Sequence, residues 1–532
     1  MSDKRAAEAY AGSKTDDGHM DRRRFLQAGA AAGASGAGYS LFGGVSNAWA
    51  ASFSQEELCY MPASLQLQLF RRRVLSPVEV LEAQIARIEK YNGEVNCITY
   101  KHYDAARKGA KESEARWKNG TARALEGITV GVKDEHGLGG WTMTEGSVIK
   151  KDNKLKANDA LGDFLINAGA VLHIQTTVPE FYLHFCTWTK LWGVSRNPWN
   201  LDYSVGGSSG GSGAALAAGF CTIATGSDMG GSIRIPAAWG GVYGFKPPFG
   251  RVPTTTPLAQ FSTSGPMART FEDMVRLQNV IAHPHPSVMT TLPHQELPLH
   301  YPSVKGMRIA YIPDQGWTEL DPEVVKATDA AVKLLQDLGA TVERVPFKLP
   351  IRGSDISDAF AEIALPGTMG GAMLGLKDRL DDMTTYARYF HEKALSGKYG
   401  AKQANEIEQK TQRVHAEFQK QVWGRGFDVM INPTIQIPHT PADYDFTKAK
   451  PTVNGKQVHP LGGVVMTPMY NFLNWYPVVN APVGLTSKRV PMGMQIIANS
   501  YQDEKAMRVA AGFAAVSQPF FKGSLMPDFR KG

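Results

Sequence analysis

The chain has 532 residues, of which 43% are hydrophobic and 20% are charged, and its net charge is +7. The charges are scattered, and Arg71–Arg73 is the only short basic run beyond the first fifty residues. This modest excess indicates a soluble protein and argues against nucleic-acid binding. No later segment has the roughly 18 apolar residues of a membrane span, so we expect no stable membrane insertion of the mature chain.

The first fifty residues have the features of an export signal. The run around Arg22–Arg24 resembles a twin-arginine signal, a weakly apolar stretch follows, and Ala48-Trp49-Ala50 offers a cleavage site. A membrane anchor or a disordered arginine-rich arm is the alternative, but the stretch is short and broken by glycines. We expect residues 1–50 to engage the twin-arginine export machinery and to be removed. Residues 51–532 would then form one periplasmic or secreted domain.

Two elements are predicted early in the mature chain. Ser76 and Glu79 form a capping-box pattern, and the apolar stripe of a helix follows until Asn92-Gly93. Residues 126–133 read as an apolar strand that ends on Lys133. A lysine buried there can be neutral, because desolvation lowers its pKa from about 10.4, and a neutral amine is a base.

Two serine segments flanked by glycines follow. Ser208 lies in residues 206–211, and Ser232 lies in residues 228–234. Bare amides in glycine runs can form an anion-binding nest, and a nest beside a hydroxyl provides a nucleophile and the oxyanion donors that acyl transfer needs. Residues 214–219 read as a helix start, which argues against a flexible glycine-serine linker.

The rest of the chain alternates strands and helices. Strands are predicted at 169–178, 304–313 and 427–433, and an amphipathic helix at 322–338. Residues 350–425 are rich in methionine and aromatic residues, which could form an adaptable apolar wall over a substrate. Core packing is the alternative for any one of them. The candidates are Met369, Met373, Met383, Tyr386, Tyr389 and Phe390, with Tyr182, Phe185, Trp188, Trp192, Trp239, Tyr470, Phe472, Trp475 and Tyr476 elsewhere.

Neighbouring charged residues are interpreted as structural. Consecutive residues such as Asp134-Glu135-His136 cannot all face one ion from a strand or helix, so we expect no metal site. Asp228 is expected to fix the backbone of the nest, and Arg234 to brace that loop through a carboxylate. The histidines at 283, 285, 294 and 300 lie among prolines and indicate a solvated loop.

The four cysteines, Cys59, Cys97, Cys186 and Cys221, lie in dissimilar contexts. They could pair in an exported chain. A chain that folds in the cytoplasm before export first meets a reducing compartment, however, and Cys186 and Cys221 have apolar surroundings. Buried free thiols are therefore favoured.

Taken together, these segments resemble the amidase signature family. The stretch from Gly206 to Gly250 is similar to the defining stretch of that family, and eight further islands keep the family's order from about residue 60 to about residue 510. Matching islands in one order are a much stronger signal than a single glycine-serine run. The islands are Leu125–Ile128, Val132–Asp134, Gly169–Val171, Pro179–Phe181, Asn197–Asn200, Gly265–Thr270, Asn432–Thr434 and Pro491–Gln495.

The resemblance implies a single large α/β domain, with a mixed β-sheet core covered by helices on both faces. It also implies an amidase that needs no cofactor and acts on a small-molecule amide. The abundance of aromatic residues favours an apolar or aromatic amide, and the oligomeric state stays open, with a homodimer among the options. The implied roles are Lys133 as base, Ser208 as a relay serine after a cis peptide bond, Ser232 as nucleophile, and the amides of Met229, Gly230, Gly231 and Ser232 as oxyanion hole.

The chain departs from the family pattern at four places. Ser227 stands where threonine is usual before Asp228, Pro248 replaces a threonine, Thr129 replaces a proline, and residues 175–177 read Gln-Thr-Thr. None removes a catalytic group, so we interpret them as bearing on substrate preference and not on chemistry.

Three alternatives remain open. The G-x-S-x-G match at 206–210 would be a nucleophile elbow, which needs a preceding strand, whereas residues 198–204 read as a loop. The glutamine-dependent amidotransferases that act on charged transfer RNA have a subunit with this signature, but an export signal argues against that reading. A non-catalytic binding protein would have no need of the complete triad. Residues 192–200 also resemble the branch that contains cyclic nylon-dimer hydrolases, which bears on ancestry and not on substrate.

Overall fold

The computed structural model describes five stretches of the chain: residues 53–254, 259–316, 319–349, 374–396 and 401–532. The predicted export signal and residues 350–373 of the predicted substrate wall, which include Met369 and Met373, lie outside them.

Eleven strands of the described chain form one mixed sheet, with the order β1-β3-β2-β8-β10-β9-β16-β17-β13-β11-β12. Three two-stranded sheets pair β4 with β5, β6 with β7, and β14 with β15. The strands are β1 (Ile98–Lys101), β2 (Thr129–Lys133), β3 (Val171–Thr176), β4 (Trp188–Thr189), β5 (Gly193–Val194), β6 (Arg196–Asn197), β7 (Asn200–Ser204), β8 (Ile223–Asp228), β9 (Tyr243–Lys246), β10 (Thr263–Ala268), β11 (Arg308–Tyr311), β12 (Thr341–Arg344), β13 (Val429–Pro433), β14 (Thr452–Val453), β15 (Lys456–Gln457), β16 (Val478–Leu485) and β17 (Pro491–Ala498).

The described helices are α1 (Gln55–Tyr60), α2 (Ala63–Arg71), α3 (Pro77–Val95), α4 (Tyr103–Asn119), α5 (Ala160–Asn167), α6 (Gly210–Ala217), α7 (Arg234–Gly240), α8 (Phe271–Ile281), α9 (Pro322–Asp337), α10 (Thr385–Leu395), α11 (Ala401–Gln421), α12 (Met469–Phe472) and α13 (Asp503–Val516). Short 3-10 turns lie at Val148–Lys150, Glu180–Tyr182, Ala259–Phe261, Leu374–Asp382 and Trp423–Arg425.

The central strands are buried on both faces. Ile223 packs in one hydrophobic cluster with Phe271 of α8, whereas its neighbour Ala224 packs in another with Ala214 of α6. Successive side chains of a strand point to opposite faces, so both faces of the sheet are covered by helices. The predicted mixed α/β architecture is confirmed.

Helix α3 begins where its capping pattern predicts and ends later. The Glu79 carboxylate accepts a hydrogen bond from the Ser76 amide at 2.8 Å, and the Ser76 hydroxyl accepts one from the amide of Val78 at 3.1 Å. The predicted stop at Asn92-Gly93 is wrong, because the helix continues to Val95. Asn96 ends it in the left-handed conformation (φ 51°), and its side-chain amide donates to the carbonyl of Trp192 at 2.6 Å. A partner distant in sequence therefore fixes this end.

The other predicted elements are present, with shorter bounds: β2, β3, β11, α9 and β13 lie inside the predicted ranges. One prediction is wrong. Residues 198–204 are not all loop, because β7 occupies Asn200–Ser204 and pairs with β6 in a separate two-stranded sheet. A nucleophile elbow needs a strand of the central sheet before its serine, and β7 does not belong to that sheet.

All four cysteines are buried and unpaired, as the sequence favours. Within the described ranges, no helix combines the length and the apolar character that crossing a membrane requires.

Candidate active site

The candidate site lies where two parallel strands of the central sheet end side by side. Lys133 is the last residue of β2, and Ser227 and Asp228 end β8. The strands are direct neighbours, with Val130 opposite Ile223, so their carboxyl ends share one edge of the sheet. Polar residues that are far apart in sequence, Lys133 on β2 and Ser227 and Asp228 on β8, therefore lie close together in space.

Lys133 is fully buried, and its amine contacts three oxygen atoms. Nζ lies 2.9 Å from Ser208 Oγ, 2.7 Å from Ser227 Oγ and 2.8 Å from Glu135 Oε2. Burial lowers the pKa of Lys133, and the nearby Glu135 carboxylate counteracts part of that effect. The structure therefore joins the predicted base to the predicted relay serine, within a more polar cluster than the sequence indicates.

Ser208 lies immediately before α6, and the Gly207–Ser208 peptide bond is cis. The backbone is closely packed there, because a side chain on Gly207 would place its Cβ 2.8 Å from the carbonyl oxygen of His184. The amide of Ser209 donates to the carbonyl of Ser232 at 3.2 Å, which links the two serine segments. Ser232 is partly exposed, whereas Ser208 is buried.

The loop that carries Ser232 is built around the carboxylate of Asp228. Its oxygens accept hydrogen bonds from the amides of Gly231 at 2.8 Å and Ile233 at 3.2 Å. The Gly231 amide is therefore engaged inside the loop, which argues against its place among the four predicted oxyanion donors. The amides of Met229, Gly230 and Ser232 donate to no protein acceptor among the described residues.

Arg234 holds this carboxylate from the other side. Its guanidinium contacts both oxygens of Asp228, at 2.9 and 2.8 Å, and also donates to Gln495 at 2.6 Å and to Asn471 at 2.7 Å. Burial would raise the pKa of Asp228, but the charge and hydrogen bonds of Arg234 outweigh it and lower the pKa to about 2. The structural roles expected for Asp228 and Arg234 are those seen.

Two residues of the site have roles that the sequence does not predict. From the sequence, Glu135 is weighed only as a metal ligand, and no metal site is expected there. In the structure, Glu135 forms an ion pair with Lys133 and accepts a hydrogen bond from Ser227. Ser227 contacts the Lys133 amine, so this departure from the family pattern touches the candidate chemistry and not only substrate preference. The sequence places Glu135 two positions after the predicted strand end at Lys133, but only the structure shows that Ser227 ends a strand beside it.

Many of the candidates for a substrate wall are core residues, which is the alternative that the sequence left open. Trp239 is fully buried and donates to the carbonyl of Pro438, and the fully buried Tyr470 accepts a hydrogen bond from Asn432. Phe185, Phe472, Tyr476, Met383, Tyr386 and Phe390 are buried as well. Partly exposed members are Tyr182, Trp188, Trp192, Tyr389 and Trp475.

Two apolar side chains lie at the site itself. The ring of Tyr182 lies 5.1 Å from Lys133 Nζ, and its hydroxyl donates to the carbonyl of Asp134 at 3.2 Å. Met229, in the loop that carries Ser232, is partly exposed and packs against a cluster that contains Phe261.

Comparison with solved structures gives the class of this fold. A bacterial aryl acylamidase, described as an enzyme of the amidase signature family, matches with a TM-score of 0.79 and 28% identity, over 86% of this chain and 96% of that one. The family model described as amidase matches residues 79–507. The chain belongs to the amidase family, as its resemblance implied, and it is a hydrolase of carbon–nitrogen amide bonds.

Curated relatives span several activities. The acylamidase of Rhodococcus erythropolis is 28% identical over 482 residues, covering 87% of this chain and 97% of that protein. The 6-aminohexanoate-cyclic-dimer hydrolase of Paenarthrobacter ureafaciens is 30% identical, covering 85% and 94%. One subunit of the glutamyl-tRNA(Gln) amidotransferase of Prochlorococcus marinus is 30% identical, covering 83% and 94%.

Proposed function

We propose that this amidase hydrolyses apolar or aromatic amides through an acyl-enzyme on Ser232. The observation that carries the mechanism is the buried contact of 2.9 Å between Lys133 Nζ and Ser208 Oγ. A buried amine of lowered pKa can accept a proton, and a serine between it and the nucleophile can relay one.

We infer the following steps from the buried Lys133–Ser208 contact and the partly exposed Ser232. Ser232 Oγ attacks the substrate carbonyl while its proton passes to Ser208 and the proton of Ser208 passes to Lys133. The tetrahedral intermediate collapses, the carbon–nitrogen bond breaks, and the same relay returns the proton to the leaving nitrogen. Water then attacks the ester carbon of the acyl-enzyme, which releases the acid and regenerates Ser232.

The oxyanion is assigned to the amides of Met229, Gly230 and Ser232. Gly231 is left out because its amide already donates to Asp228. Removing one such donor typically costs about 10²–10³ in kcat, so the rigidity of this loop matters for the rate.

The proposed preference for apolar or aromatic amides rests on fewer residues than the candidates for a substrate wall that the sequence named. Tyr182 and Met229 supply apolar surface beside the site, and two similar proteins carry the names acylamidase and aryl acylamidase. Burying an apolar group gives about 25 cal/mol per Å², so about 100 Å² gains roughly 2.5 kcal/mol, nearly two orders of magnitude in specificity.

An activity panel tests this substrate class. We expect kcat/KM for a benzamide, an anilide or a long-chain amide to exceed that for acetamide by about 10- to 100-fold. Tyr182→Ala should reduce this ratio, whereas Trp239→Phe, a change in the core, should keep it. Equal values for the large and small amides would contradict the proposed class while leaving the mechanism intact.

A glutamine-dependent amidotransferase is the second candidate, because subunits of such enzymes are among the similar proteins. It would show glutaminase activity and require partner subunits. The proposed twin-arginine export of residues 1–50, to the periplasm or the medium, argues against it. Preferential hydrolysis of glutamine in the panel would favour this candidate.

A further inference from the structure

A carboxylate lies beside the proposed base, and the catalytic cycle described above does not use it. Glu135 Oε2 is 2.8 Å from Lys133 Nζ, and only 12% of the Glu135 side chain is exposed. Ser227 donates a hydrogen bond to the same carboxylate oxygen, and its own oxygen lies 2.7 Å from Nζ. Lys133, Glu135 and Ser227 thus form a closed triangle of polar contacts.

The number of hydrogens on the amine decides what this triangle does. An ammonium group has three N–H bonds and no lone pair. A neutral amine has two N–H bonds and one lone pair. The ionised Glu135 can only accept, and Ser227 has already given its hydrogen to Glu135, so both must accept from the amine. The lone pair of neutral Lys133 is then left for the hydroxyl of Ser208.

We propose that Glu135 is a positioning residue for the Lys133 base. With Ser227, it takes the two N–H bonds of the neutral amine and directs the lone pair at Ser208. Its charge also offsets the ammonium that forms once Lys133 has taken the proton. This inference rests on the proposed acyl-enzyme mechanism, in which Lys133 is the base.

Other titratable groups face this pair, and they define the controls. Asp228, at the end of the neighbouring strand, also favours the charged form of Lys133 but is held by Arg234. His136 lies 3.2 Å from Asp159. Among the described residues, the groups that interact electrostatically with the pair are His136, Glu145, Tyr182 and Asp228, while Asp134 and Asp159 act on Tyr182 and His136 around it.

The effect of the Glu135 charge on activity has a defined sign. The carboxylate stabilises the ammonium and so raises the pKa of Lys133 against the lowering effect of burial. Only the neutral amine accepts a proton, so the rate rises as pH increases through that pKa. Removing the carboxylate charge moves this rise to lower pH, by about 1–3 pH units for an opposite charge so close.

The test measures the rate of Ser232 labelling by a fluorophosphonate against pH, together with kcat/KM on the best amide of the panel. Labelling requires no identified substrate. In both profiles the rate should rise with pH on the acid limb, where Lys133 loses its proton. We expect Glu135→Gln to move this limb at least about 1 pH unit lower, and Glu135→Asp, which keeps the charge, to leave it near its wild-type position. Glu135→Ala should also lower the plateau about tenfold or more, because the amine loses its orientation.

Ser227→Ala separates orientation from charge. It removes one acceptor but keeps the carboxylate, so it should lower the plateau with a much smaller shift of the limb than Glu135→Gln. It also keeps the inference testable if Glu135→Gln does not fold. A Ser227→Ala plateau equal to wild type would contradict the orienting triangle.

Two controls complete the design. Glu82→Gln removes the same charge from a partly exposed carboxylate paired with Arg107 and should leave the limb in place. The limb should also survive in His136→Gln, and its loss there would assign it to His136 and overturn the inference. An unshifted limb in folded Glu135→Gln would overturn it as well. No labelling of Ser232 in the wild type would instead overturn the acyl-enzyme mechanism.

Discussion

Lys133 and Asp228 are both fully buried at one edge of the sheet, yet their partners shift the balance between the charged and neutral forms differently. Asp228 has a guanidinium on both oxygens, which overcomes burial and keeps it ionised, with its pKa near 2. Lys133 has a single carboxylate partner, and burial dominates, so its pKa is lowered. A group held ionised braces a loop, whereas a group whose charge is only partly compensated can exchange a proton.

Substitution of Lys133 tests that difference. We expect Lys133→Ala to lower kcat/KM at least about a hundredfold, the usual scale of general acid–base catalysis. Lys133→Arg should be as inactive, because arginine stays charged and cannot act as a base. In the wild type, activity should rise with pH through an apparent pKa below that of free lysine.

Steady-state kinetics against pH on purified variants provides the measurement. Lys118→Ala removes an exposed lysine that pairs with Glu114 and serves as the control. Full activity in Lys133→Arg would contradict the role of a neutral base.

At the scale of the element, the loop from Asp228 to Arg234 shows what sequence could and could not predict. Its glycines and charged ends indicated a nest braced by a carboxylate. The donation from the Gly231 amide to Asp228 was not predicted. The close packing of Gly231, at φ 122°, was not predicted either, because it is against Thr467, whose Oγ1 would lie 2.0 Å from an added Cβ. Thr467 is remote in sequence, and local pattern carries no information about it.

Asp228→Asn tests the brace. The buried Arg234 would lose its charged partner, and breaking a buried pair typically costs about 3–5 kcal/mol. We expect a loss of that size in the free energy of unfolding, measured with denaturant, together with a large fall in kcat. Asp337→Asn, in an exposed pair with Lys333, should cost less than about 1 kcal/mol.

The pH dependence of this contribution has a definite direction. The folded pKa of Asp228 is lowered to about 2 from an ordinary value of 3.8. Its stabilisation is therefore fully present above the ordinary pKa and is lost as pH falls through about 2. Equal stability of Asp228→Asn and wild type at pH 7 would contradict the assigned brace.

For the whole molecule, periodicity predicted the presence of β2, β3, β11, α9 and β13, because buried strands and amphipathic helices leave local patterns. It did not predict the order of eleven strands, which depends on contacts far apart in sequence. The residues of the site likewise divide into those that local sequence indicates and those that depend on contacts between distant segments. Lys133, Ser208 and Ser232 stand out by their glycine-rich context, whereas Glu135 is recognised only once β2 and β8 lie side by side.

Export is the other prediction at this scale. Arg22→Lys with Arg23→Lys should retain the precursor in the cytoplasm, because the twin-arginine pair is the expected recognition element. Cell fractionation checks it, with Arg71→Lys and Arg72→Lys, in the other basic run, as the control. Unchanged mature protein in the periplasm would reject twin-arginine export without affecting the enzyme assignment.

The central claim, an acyl-enzyme on Ser232 activated through Ser208 and Lys133, is tested most directly by mass spectrometry of the protein labelled with a fluorophosphonate. We predict one adduct that maps to Ser232, lost in Ser232→Ala together with amide turnover, and strongly slowed in Ser208→Ala. Ser303→Ala, a change of an exposed serine, should label like wild type. An adduct on another residue, or turnover at the wild-type rate in folded Ser232→Ala, would contradict the account.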